Sequence, residues 1–360
     1  MKKTLIIGGG MTGAALARLL HEAQISAQYV SHIVIWDRNS IFGGRAMARS
    51  LVKQRDVYVD MGAQYWTPQS EMNTDLCQNM IQSGQLVPFA EKEIAQDPYR
   101  GIAKAHFICS DRKGFRHVVE YLLEETQARL STHLESFKVL DANQIQVKTS
   151  KGEKEIVNEL VLTCPIPNVL SILKKSTTFH VAPNILQALE DVKYSQRFAA
   201  AYVFDNTASL AVQEFGWTAK YVSRDESDII RFLCWDHLKK HTGGQFPPTL
   251  IVHTSVSFGA TFMDDSRPNN EILAIITKSL QQMLPSLPTE HDARLHRWRI
   301  SQVIKPYHDP SIDKGETEKV PALLLSTNPR IIIAGDSFLG SKLDNCLISA
   351  NAAAKLLQGI

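Results

Sequence analysis

The chain has 360 residues, of which 44% are hydrophobic and 21% are charged, a composition typical of globular proteins with a large core. This length favours two domains, or one large domain with an insertion. The formal net charge of +2, without a long basic run, argues against nucleic acid as a partner. No apolar run reaches the ~18 residues of a membrane-spanning helix.

The five cysteines are scattered along the chain, and no two of them form a CxxC pair. This spacing favours reduced thiols in the cytoplasm over a disulfide framework, and it indicates no metal site. The basic start and the apolar run after it could also belong to a signal peptide. Glycines in the middle of that run favour a first strand instead, so we expect a cytoplasmic protein.

The first motif is a β-branched run at residues 4–7 that ends in Gly8-x-Gly10-x-x-Gly13 and continues into an Ala/Leu-rich stretch at 14–20. This order predicts a strand, a tight turn and a helix. The three glycines permit the turn, the approach of a pyrophosphate and close packing of the helix on the strand. An adenine dinucleotide is therefore predicted, and a glycine turn in an empty Rossmann-like fold is the alternative.

Two further features support a dinucleotide. Met11 and Thr12 would open the helix, where unpaired N–H groups and the helix dipole favour phosphate. A second apolar run at residues 33–36 ends in Asp37, whose carboxylate can accept both ribose hydroxyls. Asp37 and the adjacent Arg38 are therefore predicted cofactor contacts.

A glycine pair and an arginine, Gly43-Gly44-Arg45, follow the second predicted strand. The glycines let a loop approach a diphosphate, and the guanidinium is a forked donor with a permanent charge. The alternative is a glycine turn beside a solvated arginine. Because this pattern follows the first motif and Asp37 in the chain, it favours cofactor contact through Gly44 and Arg45.

A strand-like piece at 59–67 then bends at Gly62 within a D-x-G pattern. In this order, GxGxxG, an acidic residue, GGR and D-x-G resemble the FAD-binding layout of the flavin amine oxidase superfamily. Within it, strings such as Gly62-Ala63-Gln64-Tyr65 resemble the renalase family, and the resemblance extends along nearly the whole chain. The resemblance implies that these four residues lie beside a flavin.

This resemblance implies an α/β protein with a Rossmann-like FAD-binding domain and a second, α+β substrate domain, as in p-hydroxybenzoate hydroxylase and the amine oxidases. The FAD-binding domain is expected at 1–70, 113–167 and 325–360, and the substrate domain at 71–112 and 168–310. Patterning predicts helices at 73–83, from 114 to about 125, at 268–283 and up to residue 357. Strands are expected at 134–140, 145–149, 156–163, 194–204, 231–236, 249–256 and 331–336.

The resemblance also assigns cofactor contacts late in the chain. A buried strand ends in Gly335-Asp336, where the family's aspartate holds the ribityl-phosphate region. Asp344 and Asn345 then open the last helix, whose N-terminus would face the flavin edge that gains negative charge on reduction. The family's backbone contact to adenine falls near Phe137, although valine is usual there.

Two absences weaken the amine oxidase interpretation. Many amine oxidases carry a lysine that holds a water near flavin N5, but the matching strand at 194–201 has alanines there. No cysteine stands in the usual context for covalent attachment, so non-covalent FAD is expected.

The renalase resemblance implies oxidation of isomeric dihydronicotinamides, 2- and 6-dihydro-NAD(P), to NAD(P)+. Hydride would pass to flavin N5, and O2 would be reduced to H2O2. Such a reaction needs orientation of the ring more than a base. The predicted catalytic residues are therefore Tyr65, Tyr221, His253 and Trp298, each of which could instead be a core residue.

Two other functions stay open at this point. One is an amine oxidase or a related CH–NH or CH–CH oxidase, and the other is a non-catalytic flavin- or NAD(P)-binding protein. The expected partners are the small-molecule substrate and O2, without nucleic acid or a membrane, in a monomer or weak homodimer.

Overall fold

The structure is a computed structural model that describes residues 2–26, 28–50, 58–68, 75–98, 101, 105–208, 212–240, 246–312 and 319–360. The chain forms two compact units. Unit 1 comprises Met1–Gly44, Val119–Tyr194 and Gln302–Ile360, and unit 2 comprises Arg45–Val118 and Ser195–Ser301. These bounds differ from the expected domain bounds, chiefly at 45–70 and 168–194. The assignment of each segment to FAD or substrate stays a prediction.

Groups of consecutive strands are separated by helices along the described chain. In chain order the strands are β1 Lys3–Ile7, β2 His32–Trp36, β3 Ala48–Ser50, β4 Tyr58–Asp60, β5 Val87–Phe89, β6 Ile94–Ala95, β7 His106–Ile108, β8 Gln127–Arg129, β9 Leu134–Asp141, β10 Gln144–Thr149, β11 Lys154–Val157, β12 Glu159–Leu162, β13 Lys193–Tyr194, β14 Arg197–Val203, β15 Ala219–Tyr221, β16 Ile230–Trp235, β17 Thr249–Thr254, β18 Asp292–Trp298, β19 Val303–Lys305, β20 Ala322–Thr327 and β21 Arg330–Ala334.

The predicted helices correspond to α2, α3, α8 and α9, with ends that differ by a few residues; positions 73 and 74 lie outside the described residues. No described helix is long and apolar enough to cross a membrane. In chain order the helices are α1 Met11–Ile25, α2 Asp75–Gln82, α3 Phe115–Leu122, α4 Ile166–Lys175, α5 Pro183–Glu190, α6 Asp236–Lys239, α7 Val256–Phe262, α8 Asn269–Met283 and α9 Leu343–Gln358.

Unit 1 is built on a six-stranded sheet in the order β20-β21-β12-β1-β2-β8. The pairs from β21 to β8 are parallel and only β20 is antiparallel. Strands of a parallel sheet are buried on both faces, which explains their continuous Val, Ile and Leu runs. The alanines of α1 are fully buried and allow the helix to lie close to its neighbours. Unit 1 therefore has the predicted Rossmann-like α/β fold.

The prediction of one strand at 156–163 is wrong, because two strands occupy that range. β11 pairs antiparallel with β10 in a three-stranded sheet, whereas β12 pairs parallel with β1 in the large sheet. Asn158 lies between them, and its side-chain oxygen accepts a hydrogen bond from the backbone N–H of Lys3 at 2.8 Å. Only Asn158 and Glu159 interrupt the apolar residues of this range, a short break that the strand prediction did not treat as a boundary.

Unit 2 contains a six-stranded sheet in the order β18-β14-β17-β16-β15-β6, which is antiparallel except for the β15–β6 pair. One face of this sheet packs into a hydrophobic core that includes Phe198, Tyr202 and Trp235. Helix α8 contributes Ile272 and Ile276 to the same core. Because side chains alternate along a strand, the opposite face carries a separate set of residues.

Candidate functional site

The turn between β1 and α1 requires glycine at two positions. Gly8 has φ +118°, and a Cβ there would lie 2.9 Å from the Thr163 hydroxyl oxygen. A Cβ on Gly13 would lie only 2.0 Å from the carbonyl oxygen of Gly8. Helix α1 therefore packs against the end of β1 at a distance that no other residue allows, as the sequence motif predicts.

Gly10 and Gly44 form a cleft without side chains in front of α1. Gly10 precedes the helix and offers no side-chain cap, and the first helical hydrogen bond runs from Ala14 N to Gly10 O at 3.0 Å. Met11 and Thr12 thus have N–H groups ahead of that bond. Gly44 has φ +54°, and its Cβ would lie 3.2 Å from the Cα of Gly10. Such a cradle, which side chains would fill, fits the pyrophosphate of FAD.

Asp37 is buried at the end of β2, and hydrogen bonds hold both carboxylate oxygens. Oδ2 accepts from Gly9 N at 2.7 Å, and Oδ1 accepts from the backbone and side-chain nitrogens of Asn39 at 2.7 and 2.9 Å. A carboxylate has about four acceptor positions, so Asp37 can still accept from ribose. Arg38 is exposed to solvent. Their contacts with the cofactor stay predictions.

The last strand and helix of unit 1 bring Gly335, Asp336, Asp344 and Asn345 into one loop region. Asp336 is buried and accepts a hydrogen bond from the Ser341 hydroxyl. Asn345 donates from its amide nitrogen to the carbonyls at 339 and 340, both at 2.9 Å. Asp344 is buried in the first turn of α9, where the helix dipole favours its negative charge. These contacts order the loop, and its contact with flavin stays a prediction.

Phe137 lies on β9 in the small sheet of unit 1, in the same hydrophobic core as Leu5 and Leu160 of the large sheet. Its ring packs against Phe179 with centroids 5.4 Å apart. Its backbone N–H donates to the Ser176 hydroxyl at 2.9 Å, so this donor is already used. A backbone contact to adenine at Phe137 stays a prediction.

In unit 2, the GGR and D-x-G motifs contact each other. Ala63 N donates to the carbonyl of Arg45 at 3.0 Å, and a Cβ on Gly62 would lie 1.9 Å from that oxygen. The guanidinium of Arg45 donates to the carbonyl of Ser301 at 3.1 Å. Gly62 is therefore required for close approach of two backbone segments.

Sequence analysis missed a buried cluster of charges beneath this loop. Lys239 Nζ lies 2.7 Å from Asp60 Oδ2, 3.1 Å from Asp236 Oδ1 and 3.0 Å from Gln64 Oε1. Lys240 Nζ lies 2.8 Å from Asp236 Oδ2, and the four charged side chains are at most 3% exposed. The side chain of Gln64 is thus fixed inside unit 2 by its hydrogen bond with Lys239.

The charges in this cluster interact with one another, and burial raises the pKa of Asp60 although Lys239 and Lys240 act in the opposite direction. Burial opposes ionisation, but the carboxylates of Asp60 and Asp236 raise the pKa of Lys239 above its usual value. Burial likewise opposes ionisation of Asp236, yet Lys240 and Lys239 hold its pKa below the usual range. The two lysines resemble a solvated pair in the sequence, because their partner Asp60 is far away along the chain.

The sheet face opposite the hydrophobic core carries Tyr221, His253 and Trp298, three of the four predicted catalytic residues. The fourth, Tyr65, lies in the same unit. The register pairs Trp298 with Arg197, Ala199 with His253, His253 with Phe232 and Phe232 with Tyr221. Residues paired in this way point to the same face. Ala199 is fully buried in the middle of this face, between His296 of β18 and His253 of β17.

Tyr65 and Tyr221 are joined by a hydrogen bond between their hydroxyl groups. The Tyr221 ring meets Phe232 edge-on, with centroids 5.2 Å apart, and Phe232 lies 5.9 Å from His253. Tyr65 also contacts the His106 ring edge-on at 5.3 Å. Phe232 was not predicted, because in the sequence it is one apolar residue within an apolar strand.

His253 and Trp298 are both anchored on the backbone of Met61. The indole N–H of Trp298 donates to Met61 O at 2.8 Å, and the His253 ring also hydrogen-bonds with the Met61 backbone. Burial lowers the pKa of His253 to about 3, and the charges of Arg197 and Lys239 act in the same direction. Its Nε2 atom is buried and has no hydrogen-bond partner among the described residues.

No group of His, Cys, Asp and Glu side chains in the described ranges could hold a metal ion. This face carries aromatic rings and the hydroxyl groups of two tyrosines, together with the imidazoles of His253 and His296 and the guanidinium groups of Arg197 and Arg294.

The sequence matches two family models. Residues 69–358 match flavin containing amine oxidoreductase, and residues 6–79 match an NAD(P)-binding Rossmann-like domain. The chain is 25% identical to renalase of Mus musculus, over 99% of both chains.

Solved structures of similar fold include a "putative protoporphyrinogen oxidase" from Exiguobacterium sp. 255-15, with a TM-score of 0.67 and 14% identity. A putrescine oxidase variant from a redesign of cofactor binding has the same TM-score and 11% identity. Each alignment covers 99% of this chain and 98% of the other.

Proposed function

Because this chain belongs to the flavin-containing amine oxidoreductase family, we propose that it oxidises isomeric dihydronicotinamides, 2- and 6-dihydro-NAD(P), to NAD(P)+. Unit 1 would hold FAD without a covalent bond, with the pyrophosphate at Gly10 and Gly44 and the ribose at Asp37. Bound FAD would supply a hydride acceptor at N5 and pass two electrons to O2, giving H2O2. The loop from Gly62 to Tyr65 would contact the flavin.

The observation that carries the proposal is the composition of the sheet face in unit 2. Its walls include aromatic rings, and its two histidines, His253 and His296, have pKa values of about 3 and about 4, far below that of an effective base at neutral pH. Oxidation of an amine that enters as its ammonium ion requires loss of a proton as well as hydride, whereas a dihydronicotinamide becomes aromatic on losing hydride alone. A face that orients a flat ring without accepting a proton suits the second reaction.

The side chains have separate proposed roles. Trp298 would stack on the nicotinamide ring, since its indole is fixed by the bond to Met61. His253 would accept a hydrogen bond from the carboxamide at Nε2, the nitrogen that has no partner in the described structure. The linked hydroxyls of Tyr65 and Tyr221 would bound the opposite side of the ring. Together they would restrict the ring to orientations that place a ring hydrogen towards the flavin.

Anaerobic mixing of the yellow holoprotein with three reagents tests the proposal. The reagents are borohydride-treated NAD+, which contains the isomers, pure β-NADH and a panel of amines that includes putrescine. We expect rapid loss of flavin absorbance with the first reagent only.

The other outcomes are equally informative. Bleaching by amines would support amine oxidation, the activity named for the putrescine oxidase relative, and would contradict the proposal. Bleaching by none of the reagents would favour a binding protein without turnover. A Trp298→Ala variant should slow bleaching by the isomers while it retains bound flavin.

A further inference from the structure

Unit 2 also carries a group of cationic side chains to which the proposed reaction gives no role. Arg294 and His296 lie on β18 at alternate positions with Trp298, so all three point to the face described above. Arg49 lies on β3, and the guanidinium of Arg294 donates to the carbonyl of the next residue, Ser50, at 2.9 Å. This bond brings β3 and β18 together and places the two arginines side by side.

The two guanidinium groups repel each other. Burial and the charge of Arg294 lower the pKa of Arg49, and burial with both arginines lowers the pKa of His296 to about 4. His296 is therefore neutral at neutral pH, and two positive charges remain. Arg49 Nε is buried and has no hydrogen-bond partner among the described residues. Within that part of the chain, neither arginine has a carboxylate oxygen within 4.0 Å of its nitrogens.

Two adjacent guanidiniums without a counter-ion are a poor arrangement for stability alone. A buried N–H that lacks an acceptor costs free energy, and like charges raise that cost. Planar guanidinium groups, in contrast, match the oxygens of a phosphate and bind it through paired hydrogen bonds. The arrangement therefore favours an anion with several oxygens as its ligand.

The position of this cluster relative to Trp298 indicates which anion. The His296 ring packs edge-on against Trp298 with centroids 4.3 Å apart. Arg294 lies two residues beyond His296, so its Cα is roughly 13 Å from that of Trp298 along the strand. In a nicotinamide dinucleotide, a ribose separates the ring from the pyrophosphate, and the ring and the phosphates can thus lie along one strand.

We propose that Arg49 and Arg294 bind the pyrophosphate of the dihydronicotinamide dinucleotide, which makes them determinants of substrate specificity. This inference rests on the proposed function. It assigns the substrate to the phosphate-bearing nicotinamides and distinguishes them from phosphate-free dihydronicotinamides that have the same reactive ring.

The test uses holoprotein variants Arg49→Gln and Arg49→Lys, with Arg299→Gln as the matched control. Arg49 Nε forms no hydrogen bond with the described residues, so Arg49→Gln breaks no such bond in the fold. Arg299 lies just beyond β18 and forms an exposed ion pair with Asp264. Anaerobic flavin reduction is followed with borohydride-reduced NAD+ and with borohydride-reduced 1-methylnicotinamide, which lacks phosphate.

We expect Arg49→Gln to raise the half-saturating concentration of the dinucleotide by about tenfold to a hundredfold, the effect of losing one charge-assisted hydrogen bond. The limiting rate should stay near that of the wild type, and the loss should be confined to the phosphate-bearing substrate. Arg49→Lys should recover part of the affinity, and Arg299→Gln should match the wild type. An equal loss with both substrates would overturn the inference.

Calorimetric titration with ADP-ribose separates this inference from the proposed function. ADP-ribose carries the pyrophosphate but has no nicotinamide to oxidise. If neither reduced substrate bleaches the wild-type flavin, the proposed reaction is wrong, and weaker ADP-ribose binding by Arg49→Gln would still support the phosphate site. Equal binding of ADP-ribose by wild type and Arg49→Gln would refute the site, whatever the enzyme oxidises.

Discussion

The β1–α1 turn of unit 1 and the sheet face of unit 2 opposite its hydrophobic core are both candidate binding surfaces, but they are built differently. The turn lies within Gly8 to Gly13, six consecutive residues in which Gly8 and Gly13 have local steric roles. The sheet face collects Tyr65, Tyr221, His253 and Trp298 from four separate segments. A local motif can thus be recognised from the sequence alone, whereas a surface assembled from distant strands can be identified only once the strand register is known.

The largest effect is expected at the local motif. Gly10 has φ −93°, and a Cβ there would find Gly44 Cα no closer than 3.8 Å, so valine is compatible with the turn. Its branched side chain would fill the cradle in front of α1. Gly10→Val should therefore fold with wild-type circular dichroism and purify colourless, with a flavin-to-protein absorbance ratio near zero.

Gly13→Val is the matched control, because its Cβ would lie 2.0 Å from Gly8 O and the turn itself should fail. Asp37→Ala should also lose flavin. Yellow Gly10→Val protein with a full complement of flavin would show that the pyrophosphate binds elsewhere.

The next effect concerns the buried charges under the D-x-G loop of unit 2. Lys239→Met leaves Asp60 and Asp236 with only Lys240 as a cation, which puts a net negative charge in a buried cluster. Breaking a buried ion pair costs about 3–5 kcal/mol of the free energy of unfolding. Urea denaturation should show a loss of that size.

Lys305→Met provides the comparison, because Lys305 and its partner Asp191 are 57% and 48% exposed. An exposed pair contributes about 0–1 kcal/mol. Similar losses in the two variants would mean that the buried cluster has no special role in stability.

The smallest expected effect is a change in how stability depends on pH, and it tests the sheet face of unit 2. The pKa of His253 is about 3 in the folded protein, against an ordinary value of 6.5, so the unfolded chain takes up the proton first as the pH falls. Stability from this group is complete above pH 6.5 and decreases towards pH 3, by at most about 1.4 kcal/mol per pH unit. His296 acts in the same direction, since its pKa is about 4.

Urea midpoints measured between pH 7 and pH 4.5 should therefore fall less steeply for His253→Phe than for the wild type. The exposed His32 supplies the control, and His32→Gln should keep the wild-type slope. Identical slopes for wild type and His253→Phe would argue against a buried neutral imidazole on this face.

These two regions also differ in how much of their structure could be predicted from the sequence. The strand–turn–helix motif, Asp37 and the parallel strands of unit 1 follow from local patterns, because steric needs of the turn and burial on both faces leave direct signals. Tyr221, His253 and Trp298 were named from family resemblance, and the register of unit 2 then placed them on one face.

The rest depended on partners distant along the chain. Phe232 resembled any core residue, and Lys239 resembled a surface lysine until Asp60 was found beside it. Arg49 and Arg294 carry no motif at all, and they form a pair only because β3 meets β18. The change of sheet at Asn158 was missed because only Asn158 and Glu159 separate the apolar residues of the two strands.

The most direct test of the account is the rate of anaerobic flavin reduction by purified 6-dihydro-NAD, measured at saturating substrate from pH 6 to pH 9. Hydride transfer on a face without an effective base predicts fast reduction at a rate that does not change with pH. A rate that rises with pH through a single ionisation, or reduction by amines but not by this isomer, would contradict the account.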